Sequence, residues 1–238
     1  MIKIESLKKF FATKIAVDDL NLEVPNGVVY GFLGPNGAGK TTTIKMIVGM
    51  LRQDQGKIKI DGVDTLDDPI EAKKKFAYVP DNPDIYDNMT ARQYINFIAD
   101  VFKLSLEKRN ENIKKYAEIF EMEENLDATI SALSHGMKQK IVLIGALIHE
   151  PKLLILDEPM VGLDAKSSFR LKNIMREFAE RGGTVFFSTH VMEVAEKMCD
   201  EIAIINKGKL IAKGTLEEIR ASAKDSGSLE KIFLELTE

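Results

Sequence analysis

One cysteine in 238 residues, Cys199, leaves no internal disulfide to form. A chain with a single thiol fits a reducing compartment, and Cys199 reads as a small buried hydrophobe. Long apolar runs are also missing. The longest, Ile141 to Ile148, is about eight residues, far short of the ~20 that cross a bilayer. The N-terminus, MIKIESLKKFF, lacks the charged start and apolar core of a secretory signal. Any membrane role is therefore expected from the cytosolic side, through a partner. Neither sign of charge dominates: 33 basic residues face 37 acidic ones, net −4. That balance gives no general pull toward nucleic acid, and no nucleic-acid partner is expected. Internal repeats and low-complexity stretches are absent as well. With 45% hydrophobic and 29% charged residues, the length suits one large domain that buries a core.

What the chain does contain is Gly34-Pro35-Asn36-Gly37-Ala38-Gly39-Lys40-Thr41-Thr42, a full match to G-x-x-x-x-G-K-[ST]. The apolar run Val28 to Leu33 precedes it and reads as a buried strand. Ile44, Ile47, Val48 and Leu51 follow at helical spacing. Strand, glycine-rich turn and helix N-terminus form a cradle for polyphosphate. Its backbone N–H groups converge there, and the helix dipole favours negative charge. Lys40 would reach the β- and γ-phosphates and the Thr41 hydroxyl would sit on Mg²⁺.

Ile2 to Leu7, Leu20 to Val24 and Ile58 to Ile60 alternate like strands and predict a small antiparallel β layer. Leu153 to Leu156, Thr184 to Phe187 and Glu201 to Ile205 are continuous apolar runs. Between them lie helical patterns such as Leu171, Ile174, Met175 and Phe178. That grammar predicts a mostly parallel sheet covered on both faces. Residues 82 to 150 are expected to form a helical insert. In it, Thr90 to Gln93 is a capping box. Tyr94, Phe97, Ile98 and Val101 then mark a face read as core packing. Ser134 is placed to cap the helix carrying Met137, Ile141, Ile144 and Ile148. Thr215 to Glu218 is a second capping box opening a tail over 215–238, with a hinge expected at Lys224 to Ser228.

Chemistry gathers at strand ends. Leu153 to Glu158 reads LLILDE, and strand ends in parallel sheets open onto the ligand crevice. There Asp157 can hold Mg²⁺, while Glu158 can orient or deprotonate an attacking water. Ser188-Thr189-His190 closes the next apolar strand, and His190 is placed to hydrogen-bond a γ-phosphate. His135 and His149 read as surface histidines.

Leu133-Ser134-His135-Gly136-Met137-Lys138-Gln139 resembles the signature motif, usually written LSGGQ, of ATP-binding-cassette ATPases. It lies about 95 residues after the loop and just before LLILDE, as in that family. The resemblance runs over essentially the whole chain, residues 1–238, as a single nucleotide-binding domain. It implies an α/β fold: a P-loop NTPase core, a small antiparallel β layer and the helical insert. It also implies that Phe11 stacks on adenine, that Gly162-Leu163-Asp164 is a D-loop and that His190 is a switch histidine. Ser134 and Gly136 would meet nucleotide bound to an opposing subunit, because two such domains close head to tail around ATP. The family's members hydrolyse ATP, with Mg²⁺, and drive transport through a separate integral membrane subunit, from the cytoplasmic face. They act as a homodimer or paired with a similar ATPase. Three positions depart from the pattern. His135 stands where glycine is usual and Met137 where glutamine is usual. Asp81, in Tyr78-Val79-Pro80-Asp81-Asn82-Pro83, replaces a glutamine that helps coordinate Mg²⁺. An aspartate still offers oxygen to Mg²⁺, and an acidic residue here resembles export-type members. Two alternatives are weighed against this. One is a soluble cassette ATPase acting on ribosomes or DNA, disfavoured by the lone cassette and the absence of a long heptad segment. The other is a GTPase or kinase outside this family. Asn206-Lys207-Gly208-Lys209 approaches the guanine-reading Asn-Lys-x-Asp, but Lys209 occupies the aspartate position.

Overall fold

In the computed structural model, which describes residues 1–222 and 228–237, two sheets stack with helices around them. The chain opens with β1 (Ile2–Phe11), β2 (Lys14–Val24) and β3 (Val29–Leu33), then enters α1 (Lys40–Ile47). It continues through β4 (Gln55–Ile60), β5 (Val63–Asp64), α2 (Pro69–Lys73) and β6 (Phe76–Val79). Three helices follow: α3 (Ala91–Val101), α4 (Leu106–Phe120) and α5 (His135–Leu147). The last part alternates: β7 (Leu153–Leu156), α6 (Ala165–Glu180), β8 (Thr184–Thr189), α7 (Met192–Met198), β9 (Glu201–Asn206) and β10 (Lys209–Gly214). It ends with α8 (Leu216–Ser222) and α9 (Leu229–Thr237). The hinge expected at 224–228 lies outside the described residues up to Ser228.

The larger sheet has the order β10-β9-β3-β8-β7-β6, and every pairing in it is parallel except β10 with β9. Its strands β3, β7, β8 and β9 bury both faces, which is why they read as apolar runs. Val29 and Leu33 of β3, Leu154 and Leu156 of β7, and Val185 and Phe187 of β8 pack toward the helices. Tyr30, Phe32, Leu153, Ile155 and Phe186 face the other way, into a second core shared with the antiparallel sheet. That sheet, β2-β1-β4-β5, contains the three expected strands plus the short β5. In β1 the alternation breaks between Ile4 and Leu7, where Ser6 takes φ 46°. This bulge turns Leu7 inward, so Ile2, Ile4 and Leu7 all reach the core.

Several local expectations hold and three are corrected. Thr90 and Gln93 bond each other's backbone reciprocally, as do Thr215 and Glu218. Ser134 caps α5, accepting from the Met137 N–H at 3.3 Å. Helix α1 stops at Ile47 rather than Leu51, because Gly49 at φ 73° reverses the chain. The buried stripe of α3 is not the one read from its large side chains. Ala91, Ile95 and Ala99 are fully buried and Tyr94 nearly so, whereas Phe97 is 41% and Val101 58% exposed. The two small residues of this stripe, Ala91 and Ala99, set the contact side, since they let the helix approach its neighbours closely. His149 is not on the surface. It is mostly buried, stacked on Phe102 with ring centroids 3.6 Å apart. Burial there lowers its pKa to about 4. Cys199 is buried, against the α-carbon of Gly31, where any side chain would strike its sulfur.

Asn206-Lys207-Gly208-Lys209 is a hairpin turn: Asn206 pairs with Lys209, and Lys207 and Gly208 both take positive φ. Its shape is accounted for by the β9–β10 connection.

Candidate nucleotide site

The candidate residues assemble where β3, β7 and β8 end. Gly34 leaves β3 at a point where a Cβ would stand 2.3 Å from the Ile205 carbonyl. Gly39 enters α1 at φ 110°, with its α-carbon against the Ala16 carbonyl. Only glycine fits either position. The loop between them is closed by Ala38 N–H to Pro35 O (3.1 Å) and pinned from outside by Gly208 N–H to Ala38 O (2.8 Å). Helix α1 has no side-chain cap, so its first N–H groups remain available to an anion. Lys40 folds back over the loop, donating to Gly34 O at 2.8 Å and Pro35 O at 3.3 Å.

Across the cleft, β7 delivers two carboxylates into different surroundings. The Asp157 N–H extends the ladder to Val79 O (2.9 Å), which holds its side chain wholly inside the protein. Its Oδ1 accepts from the Ser188 hydroxyl, while Oδ2 is buried without a hydrogen-bond partner among the described residues. Burial pushes the Asp157 carboxyl up. The Ser188 and Thr41 hydroxyls oppose that shift, and the negative charges of Asp81 and Glu158 add to it. Glu158 takes φ 46°, a left-handed conformation for a non-glycine residue. That twist swings its carboxylate between the Lys40 ammonium (3.3 Å) and His190 Nδ1 (3.0 Å). Its backbone N–H is held by the Ser188 hydroxyl at 3.0 Å.

Phe11, Asn36, Gly37, Gly39, Lys40, Thr41, Thr42, Asp81 and Glu158 thus line one cleft of about 290 Å³, with Asp157 beneath it. Phe11 is 47% exposed at its edge, beneath the Lys9 ammonium. Asp81 spends Oδ1 on the Asn82 N–H at 2.9 Å. Ser134 and Gly136 stand elsewhere. Gly136 packs so tightly on the Gly162 carbonyl that a Cβ would lie 2.6 Å from it, and the His135 ring covers the Gly162 α-carbon. The larger cavity of the molecule, about 580 Å³, lies among Tyr116, Leu147, Phe178 and Arg181 and contains none of the candidate residues.

Two residues of the cleft escaped the sequence reading. Ser188 binds both acidic residues, and its signal was its place two residues before His190 at a strand end. Lys14 lines the cleft beside Phe11; a basic residue one turn beyond an exposed aromatic was the only hint.

Comparison with known proteins adds three findings. Residues 17–161 match the family described as ABC transporter. The chain is 34% identical over 220 residues to the ABC transporter ATP-binding protein NatA of Bacillus subtilis (strain 168), covering 92% of this chain and 89% of the relative. It is 35% identical over 213 residues to the Nod factor export ATP-binding protein I of Burkholderia lata, covering 90% and 70%. A solved structure of an ATP-binding subunit of an ABC transporter superposes with a TM-score of 0.95 at 32% identity, each chain covered in full.

Proposed function

This chain belongs to the ABC transporter family, and from that premise we propose that it is the ATP-hydrolysing subunit of a membrane exporter. It binds ATP in the cleft above α1 and closes head to tail with a second copy or a similar ATPase. Closure drives an integral membrane subunit from the cytoplasmic face. Among the described residues no helix is long and apolar enough to cross a membrane, so the transport path is assigned to that partner. Export is favoured by the likeness to a Nod factor export protein and by Asp81 in place of glutamine. Residues 82–150 are assigned as the helical subdomain and 215–238 as a C-terminal tail of the one nucleotide-binding domain.

The residues divide the work as their surroundings dictate. Phe11 offers an exposed ring to adenine. Backbone N–H groups of 34–42 and the Lys40 ammonium take the phosphates. Phosphate oxygens entering the loop compete with Glu158 for Lys40, which frees Glu158 to hold a water while His190 steadies its far oxygen. Ser134 and Gly136 present the α5 N-terminus outward, toward nucleotide on the opposing subunit.

The partnerless Oδ2 of Asp157, the Thr41 hydroxyl and Asp81 are hard oxygen donors on one side of the cleft, and they fit Mg²⁺. Among the described residues no group of three or more acidic, histidine or cysteine residues forms a metal cage. That suits an ion shared between one or two carboxylates and substrate phosphates. Mg²⁺ there would neutralise charge developing on the phosphates.

Phe97 of α3 and Tyr86 of the segment before it stand exposed and edge to face, 6.1 Å apart. We assign them to the surface that receives the membrane subunit.

The observation carrying this reading is Glu158, bound to Lys40 and His190 one residue after a buried aspartate. Glu158→Gln should keep ATP binding, lose about 10²–10⁴-fold in turnover and accumulate an ATP-bound dimer on size exclusion. Normal steady-state hydrolysis by that variant would overturn the assignment.

A further inference from the structure

Helix α5 carries a glutamine with no exposed surface. Gln139 Nε2 donates to Pro80 O at 3.4 Å, and its Oε1 is buried with no hydrogen-bond partner among the described residues. A buried, partnerless amide oxygen costs about 1–3 kcal/mol. Methionine or leucine at this buried position would carry no such unpaired oxygen. Stability therefore does not account for a glutamine at this place.

Position does. β6 ends at Val79, whose carbonyl is held by the Asp157 N–H at 2.9 Å. Pro80 then takes the chain out of the sheet with no N–H of its own. Asp81 follows, its Oδ1 occupied by the Asn82 N–H. The Pro80 carbonyl is thus the main-chain handle between the strand and Asp81, and Gln139 holds it. One residue earlier on α5, Lys138 grips Asp87 at 2.7 Å. Adjacent side chains of α5 therefore tether both ends of 80–87, and they stand within a turn and a half of Ser134, which caps that helix.

We propose that Gln139 is a positioning residue for Asp81, fixing how far its carboxylate stands from Asp157 and so how tightly the two hold a divalent cation with nucleotide. The proposal rests on the reading above that Asp81 lies at the edge of that cation.

The test is a Mn²⁺ titration, followed by electron paramagnetic resonance, on full-length protein with a non-hydrolysable ATP analogue. Four proteins are compared: wild type, Gln139→Met, Asp81→Ala and the double variant. Gln139→Met should bind Mn²⁺ about tenfold more weakly, in the range of outer-shell substitutions, with an unfolding midpoint equal to or above wild type. The double variant should bind no more weakly than Asp81→Ala alone. Gln139→Leu repeats the measurement with a second apolar shape should methionine fail to fold. If Asp81→Ala weakens Mn²⁺ and Gln139→Met superimposes on wild type, Gln139 does not position Asp81 and the inference falls alone. Multiplying losses in the double variant overturn it equally, since Gln139 then acts by another path. If Asp81→Ala also superimposes on wild type, the metal-edge reading of Asp81 falls and takes this inference with it.

Discussion

Asp157 and Ile95 are both wholly buried, for opposite reasons. Ile95 sits in the stripe that α3 turns toward the core, and removing it from water is worth about 1.5–3 kcal/mol. Asp157 carries a carboxylate into the same kind of environment, one oxygen on Ser188 and the other on nothing. The cleft accumulates such arrangements: a left-handed Glu158, a lysine folded onto carbonyls, glycines pressed against backbone. The helical layer leaves buried atoms without partners too, on Arg109, Asn112, Gln139 and His149, but none of these residues lines the cleft. What sets the cleft apart is that its unsatisfied groups converge where a ligand would sit.

Asp157→Asn puts the largest strain on that contrast. Turnover should fall at least about 10²-fold, because the buried charge aimed at the cation is gone. Yet in metal-free buffer the variant should be more stable than wild type by about 1 kcal/mol. The sign follows from its raised pKa. The unfolded carboxyl loses its proton near 3.8 and the folded one later, so wild type loses stability as pH rises between those values. The variant's advantage should be smallest near pH 4 and grow as pH rises. Chemical denaturation with chelator present measures it, and a variant less stable at pH 8 would break the comparison.

The helical layer holds a buried titratable group of its own, His149. Its folded-state pKa of about 4 lies below the ordinary 6.5 because burial beside Phe102 disfavours the imidazolium. The unfolded chain takes up the proton first as pH falls. Stability is therefore full above 6.5 and is lost toward 4, by at most about 3 kcal/mol. His149→Phe keeps the stack and removes the titration. Its denaturation midpoints should fall less steeply than those of wild type between pH 6.5 and 4; parallel curves would show that His149 does not titrate in this range.

The two regions also differ in how they were legible. The loop from Gly34 to Thr42 was readable because each requirement is local: Gly39 needs φ 110°, Lys40 needs the first turn of α1. The parallel strands were readable because burial on both faces leaves their middles apolar, with residues such as Thr184, Ser188 and Thr189 of β8 confined to the ends. β6 and β10 were not picked out. One is four residues ended by a proline, and the other is an edge strand whose short apolar run, Leu210 to Ala212, is flanked by Lys209 and Lys213. The buried face of α3 was misjudged because Phe97 and Val101 outweigh Ala91 and Ala99 in any hydrophobic count. The choice between faces depends on how closely neighbouring helices approach, which periodicity does not contain. Gln139's burial was unreadable for a related reason: it stands between Lys138 and Lys140, which stay only partly buried, and nothing in those neighbours announces that the side chain between them is enclosed.

Phe97→Ser gives the smallest expected change, and it sharpens the comparison most finely. If Phe97 were core, its loss would cost about 3–5 kcal/mol, as for a large buried aromatic. At 41% exposure with an edge contact to Tyr86, its removal should cost roughly 0.5 kcal/mol or less, within the range of surface substitutions. Nucleotide binding and basal hydrolysis should be unchanged, because Phe97 touches no residue of the cleft. Stimulation of ATPase activity by the reconstituted membrane subunit should drop several-fold, since an exposed aromatic pair is what an incoming helix would bury. The three measurements separate the cases. A large stability loss would return Phe97 to the core. Unchanged stability with unchanged stimulation would leave it as exposed apolar surface without a partner, and the docking surface would have to be sought elsewhere on the helical layer. Unchanged stability with lost stimulation would mark the one place where this layer, like the cleft, keeps a group unsatisfied for something outside the chain.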